Sequence, residues 1–193
     1  RVENGLCAPC TGGGTNAAGD DPAPGVDTVC AFPDRAALKT AVDNCVARDI
    51  TGVACCSQGA DCGAAGTVEM PDWDVSLVTD MSRLFHNPDR WSFRAFNADI
   101  SRWDTSSVTT MSSMFVDNKV FNQHLSRWDV SSVTTMRQMF YDAHAFNTMP
   151  VGWDTSNVKD TFYIFRYASA WTARFTGGGT HTLPGGWTRI EDA

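Results

Sequence analysis

The chain has 193 residues, 42% of them hydrophobic, enough to bury the core of one or two modest domains. Its net charge is −7 and its three lysines (Lys39, Lys119, Lys159) are scattered, so the basic patch that nucleic-acid binding requires is missing. No run of about 18 apolar residues is present to span a bilayer, and the opening RVENGLCAPC lacks the apolar stretch of a signal peptide, which a mature secreted chain would have lost.

The seven cysteines (7, 10, 30, 45, 55, 56 and 62) all fall in the first third. That density reads as disulfides formed in an oxidising compartment, and the odd count leaves one thiol over. Residues 1–30 form a first, Cys-rich segment. CAPC at 7–10 has redox spacing, but TGGGTN follows it where that chemistry needs a helix. Residues 31–66 read as an N-terminal cap. Asp34 starts a helix that puts Leu38, Val42 and Cys45 on one face, and a Gly- and Cys-rich loop follows. Cys45, Cys55, Cys56 and Cys62 make two disulfides, with three pairings open. A zinc site from Cys55, Cys56 and Cys62 fits poorly with usual ligand spacing.

Residues 67–175 repeat. Trp73, Trp103, Trp128 and Trp153 each open a W-D-[VT]-S-x-V sextet, spaced 30, 25 and 25 residues apart. Twelve residues after each Trp stands Phe85, Phe115, Phe140 or Phe165. A second aromatic follows at Phe96, Phe121, Phe146 or Trp171, and Asn97, Asn122 and Asn147 come after three of them. The first unit carries an insertion of five in HNPDRWSFRA. Within a unit, Trp128 and Val130 alternate with Asp129 and Ser131, which predicts a short strand with one buried face. Met136, Met139 and Phe140 fall at i, i+3, i+4, which predicts a short helix, with Thr135 or, in the first unit, Asp80 as its N-cap. A loop then returns to the next strand. One such unit cannot bury its own core, so the units stack, with equivalent strands about 4.8 Å apart in a parallel sheet. The expected fold class is α/β: a leucine-rich-repeat-like solenoid of about four strand–short-helix units with caps, plus a small disulfide-rich N-terminal module. Residues 176–193, rich in Gly and closed by Trp187, read as the C-terminal cap.

The register WDVSSVTTMRQMF…FN resembles the BspA-like leucine-rich-repeat surface proteins, found also as mycoplasma surface lipoproteins and in secreted proteins of marine microbial eukaryotes. The resemblance covers residues 67–171. Here Trp stands for one leucine of the common repeat, and Val133 stands where that repeat has Asn. The fourth unit departs further, with Thr161 at a Met position and Pro150 at a Leu position. Residues 7–30 resemble EGF- or TNF-receptor-like Cys-rich repeats. That resemblance implies a Cys10–Cys30 disulfide, a partner for Cys7 upstream of Arg1, and a longer modular parent chain.

The candidate binding surface is the outward ladder Asp74, Asp104, Asp129 and Asp154 with Ser76, Ser106, Ser131 and Ser156. Stacked carboxylates repel unless bonded or neutralised. Asx turns to the neighbouring Ser satisfy them most simply, and calcium on the ladder is the weaker reading. Asn97, Asn122 and Asn147 suit a structural turn ladder. Thr79, Thr109 and Thr134 align as ice-binding threonines do, but Lys159 breaks the column. His86, His124, His144 and His181 stand in no catalytic frame, and the glycine runs 12–14 and 177–179 lack the Lys-Ser/Thr of a phosphate loop. No enzyme, cofactor or metal is expected. The expected function is extracellular adhesion or recognition of protein or carbohydrate, which the BspA resemblance implies. The alternative is a structural subunit that assembles with its own copies in a filament, appendage or wall. Both place the chain outside the cell or on its surface.

Overall fold

The computed structural model describes residues 30–86, 91–148 and 150–176, with two-residue strands outside them. β1 (Val2–Glu3) pairs antiparallel with β2 (Leu6–Cys7), β3 (Thr15–Asn16) with β4 (Cys30–Ala31), and β5 (Phe175–Thr176) with β6 (Thr188–Arg189). The body of the Cys-rich module, the assignments of Cys7 and Cys10, and the closing segment through Trp187 lie outside the described residues. Cys30 is disulfide-bonded.

Helix α1 runs from Arg35 to Arg48. It starts where the sequence places a cap: Asp34 Oδ1 accepts the Ala37 N–H at 2.9 Å. Leu38, Ala41, Val42, Cys45 and Val46 are buried, the spacing of one helical face. Asp49 ends the helix and turns the chain. Its carboxylate accepts from Thr51 N (2.9 Å), Val53 N (3.1 Å) and Ala54 N (3.0 Å). The pairings left open by the sequence are Cys45–Cys55 and Cys56–Cys62, with Cα separations of 4.9 and 5.8 Å. Glu69 holds this loop by accepting the Cys56 and Ser57 N–H groups at 3.1 and 2.9 Å. Gly52 (φ 76°) lies against the first repeat unit. A Cβ there would stand 2.7 Å from the Phe96 ring, so only glycine fits.

The repeat units lie in register. With positions counted from each Trp, the residues at +7 (Asp80, Thr110, Thr135, Asp160) join through parallel bridges. The N–H groups at +8, +10 and +12 donate to the next unit: Met111 to Thr135 O (3.0 Å), Ser113 to Arg137 O (2.8 Å), Phe115 to Met139 O (2.9 Å). At +6 the direction reverses, and Thr109 and Thr134 donate back to Thr79 O and Thr109 O, both at 2.8 Å.

These bonds correct the expected short helix. An N–H committed to the next unit cannot also close a helical turn. The segment therefore runs as successive tight turns, such as Met139 N–H to Met136 O at 3.1 Å. Arg83, Ser113, Gln138 and Tyr163, all at +10, take positive φ of 54–59°. A left-handed residue in each unit is incompatible with a helix. The i, i+3, i+4 pattern still marks the inward residues, because Met136, Met139 and Phe140 are fully buried. The expected strand is likewise reduced, and the inter-unit bridges sit at +7 rather than along Trp-Asp-Val. Turns close both sides of that stretch: Trp128 N–H to Leu125 O (3.1 Å) before it and Val133 N–H to Val130 O (2.9 Å) after it. Three extended residues between turns cannot build a ladder.

The tryptophans carry the cross-unit tie instead. Each indole N–H reaches the carbonyl three residues before the preceding Trp: Trp103 to Met70 O (2.8 Å), Trp128 to Ile100 O (3.0 Å), Trp153 to Leu125 O (2.9 Å). Leucine could fill the space but not make this bond. Beside the tryptophans run two aromatic columns. Phe85, Phe115, Phe140 and Phe165 stack at 5.3, 5.4 and 5.6 Å, tilted by 9° or less. Phe96, Phe121, Phe146 and Trp171 stack at 5.8–6.3 Å. Within each unit the two rings lie 3.9–4.1 Å apart. Helix α2 (Ser169–Arg174) carries Trp171 to the end of the second column. Stacked pairs add about 0.5–1.5 kcal/mol each beyond the burial of their area.

Candidate recognition surface

Asp104, Asp129 and Asp154 are exposed and Asp74 is half-buried. In the first unit Trp73 has extended backbone (φ −68°, ψ 135°), so the residues that flank the indole point away from it. Each carboxylate closes an Asx turn on its own unit. Oδ1 accepts the N–H of Ser76, Ser106, Ser131 or Ser156 at 2.9–3.0 Å. The hydroxyls of Ser76, Ser106 and Ser131 add bonds of 2.6–2.7 Å to the same oxygen. The Ser131 hydroxyl and then its N–H hold the Asp129 carboxyl below the usual carboxylate range. Bonds from the N–H and hydroxyl of Ser156 do the same for Asp154, against a smaller opposing push from the Asp129 charge. The ladder is therefore a row of carboxyl groups, each bonded through Oδ1. Among the described residues, the metal-type cluster is Cys55, Cys56 and Cys62, with ligand atoms within 4.8 Å of one another. Those sulfurs are committed to the two disulfides.

The asparagines hold the return loops together. Asn97 Oδ1 accepts the Asn122 N–H at 3.0 Å, and Asn122 Oδ1 accepts the Asn147 N–H at 2.9 Å. The threonine column points its hydroxyls back into the stack, with Thr109 and Thr134 each donating to the preceding Thr carbonyl at 3.1 Å. His86 Nδ1 lies 3.1 Å from Val116 O, and His144 Nε2 lies 2.6 Å from Asp142 Oδ1. His124 is exposed, and His181 lies outside the described residues.

Two surface features escaped the sequence reading. The first is an ion-pair network. Lys119 bridges Asp117 (2.8 Å) and Asp142 (2.5 Å), Arg94 approaches Asp117 at 3.6 Å, and the His144 ring meets the other Asp142 oxygen. The hydrogen bond from Lys119 holds the Asp117 carboxyl below its ordinary range. The second gathers all three tyrosines of the chain, Tyr141, Tyr163 and Tyr167. The Arg166 guanidinium lies over Tyr163 (4.2 Å) and Tyr167 (4.9 Å) and donates to the Tyr167 hydroxyl at 2.9 Å. Tyr141 meets Tyr167 edge-on at 5.4 Å, and Arg137 lies over Phe162 at 4.4 Å. The available signal was the divergence of the repeat at +9, +10, +13 and +14. There Ser112, Ser113, Val116 and Asp117 of the second unit become Phe162, Tyr163, Arg166 and Tyr167 of the fourth.

A family model described as a mycoplasma protein of unknown function, DUF285, matches residues 59–177, the stretch that contains the repeat. No curated protein and no solved structure matches.

Proposed function

We propose that this chain, which belongs to the mycoplasma family of unknown function DUF285, is a non-enzymatic recognition module secreted or displayed on a cell surface. In this reading the units form a leucine-rich-repeat-like solenoid that presents protein or carbohydrate partners with a long outward face. One observation carries it. The framework positions are spent inward on the indole ties, the aromatic columns and the asparagine ladder, and what remains outward is a regular, charged and hydroxylated surface. Disulfide pairing in the cap suits an oxidising compartment. The resemblance to BspA-like proteins points the same way. The test is binding of the full chain to panels of glycans and matrix proteins, with and without calcium. Saturable binding weakened by Asp104→Arg with Asp129→Arg supports the outward ladder as its site.

A second reading, a structural subunit of an extracellular filament, appendage or wall, draws on the directional hydrogen bonding between units, a geometry that continues from unit to unit. The native mass of the protein from its source separates the two. A large ordered particle favours the subunit, and a monomer that binds partners favours the module.

A further inference from the structure

We infer that the tyrosine–arginine cluster of the fourth unit is a binding site for an acidic polysaccharide, one that carries carboxylate or sulfate groups. The inference rests on the recognition reading and supplies it with a ligand class and a site.

Three observations meet there. The first is backbone cost. Tyr163 and Tyr167 have φ of 59° and 63°. Bulky side chains are genuine outliers in this region, whereas Asp and Asn enter it readily. The equivalents of Tyr167 in the preceding units are Asp117 and Asp142, also at positive φ. Positive φ at +10 is common to all four units, but at +14 tyrosine replaces the aspartates that tolerate it, and Tyr167 stores strain of the kind that clusters at ligand sites. The second is an unused cation. In a chain of net charge −7, Arg166 has no carboxylate within 4 Å among the described residues. Its planar face rests on tyrosine rings, and it donates to a phenol, which steadies the guanidinium and raises its pKa further. Guanidinium edges recognise carboxylate and sulfate bidentately. The third is composition: Tyr and Arg dominate binding hot spots.

The choice of a glycan over an acidic peptide follows from the backbone. A peptide strand adds itself through main-chain hydrogen bonds. Here the Gln138, Asp142 and Arg166 N–H groups already donate to Phe162 O (2.9 Å), Arg166 O (2.8 Å) and Tyr163 O (3.1 Å). Beside them stand phenol hydroxyls, ring surfaces and a guanidinium, the groups that suit hydroxylated rings bearing an anion.

The test is the binding of the full chain to four probes: a sulfated polysaccharide, a polyuronate, neutral dextran and polyglutamate. Retention of the first or second and not of the last two is expected. Arg166→Ala, and Tyr163→Asn with Tyr167→Asn, should each weaken that retention by at least about tenfold. The Asn pair is compatible with positive φ, so its melting temperature should hold or rise, which separates a ligand-binding role from a structural one. Unchanged retention in the Asn pair would overturn the proposal, as would polyglutamate binding as tightly as the glycans. If Asp104→Arg with Asp129→Arg abolishes binding while the Asn pair does not, recognition stands and this site falls.

Discussion

Replacing Trp128 with phenylalanine tests whether the indole bond, and not bulk alone, joins the units. Trp128 is 3% exposed and its Nε1 donates to Ile100 O at 3.0 Å. That carbonyl also accepts the Trp103 N–H at 3.2 Å, so it keeps one partner after the substitution. The loss is then one net hydrogen bond, about 1 kcal/mol, without a stranded acceptor. The missing part of the indole leaves roughly 40 Å³, worth about 1 kcal/mol at the usual cavity cost. Trp128→Phe should therefore destabilise by about 2 kcal/mol and lower the melting temperature by about 4–8 °C. Trp153 makes the same bond, to Leu125 O at 2.9 Å, but is only half-buried. Its surroundings can collapse, and Trp153→Phe should cost about half as much. Urea unfolding followed by circular dichroism measures both. A loss of about 1 kcal/mol or less at Trp128, the cavity cost alone, would show that tryptophan serves there for size and that the indole bond adds nothing.

Asn122→Ala strands the Asn147 N–H, which now donates to Asn122 Oδ1 at 2.9 Å, and should cost about 1–3 kcal/mol. Asn122→Asp keeps that acceptor and should recover part of the loss in the same unfolding assay. If the two variants are equally stable, the ladder is not held by that oxygen. Removing Cys45–Cys55, which links residues 10 apart, should cost about 3 kcal/mol in the chain-entropy model. Calorimetry of the double Ala variant measures the loss. Asp99, Asp129 and Asp154 have carboxyls held below the usual range, Asp99 chiefly by the Ser101 hydroxyl. A lowered folded pKa adds stability above the unfolded value of about 3.9 and loses it as pH falls through the folded value. The melting temperature should drop as pH falls below about 4, and a flat profile there would refute the role given to these turns.

Inward positions were legible in the sequence because each is an apolar residue at a fixed offset. Val133, Met136 and Phe140 are all fully buried. The asparagine ladder could be read for the same reason, since one residue recurs at one position. The conformation of the turn segment could not be read. Burial at i, i+3, i+4 is common to a helix and to a chain of tight turns. What separates them is where the Gln138 N–H goes, to Phe162 O, and only the neighbouring unit decides that. Positive φ at Ser113 and Gln138 carried no glycine to announce it. Disulfide pairing was hidden because Cys55 and Cys56 are adjacent and either could serve Cys45. The tyrosine–arginine cluster was hidden because its members stand at positions where the repeat is least regular, which a search for regularity passes over.

Directional bonding between units has a consequence for how such a chain changes length. The first three units donate forward at +8, +10 and +12 and the last three donate backward at +6, always to equivalent atoms. The return loop of the first unit absorbs an insertion of five, but loss of a single residue between +6 and +12 would put the later donors of that unit opposite the wrong acceptors. Excision of a whole unit would not. Removing residues 104–128 joins Trp103 to Asp129 and rebuilds the same motif across the junction. Residues 101–115 and 126–140 differ at only three positions, the trace expected of a recent duplication. Unequal recombination within such a gene shortens or extends the protein in steps of one unit without disturbing the bonding rule, so length can vary faster than sequence.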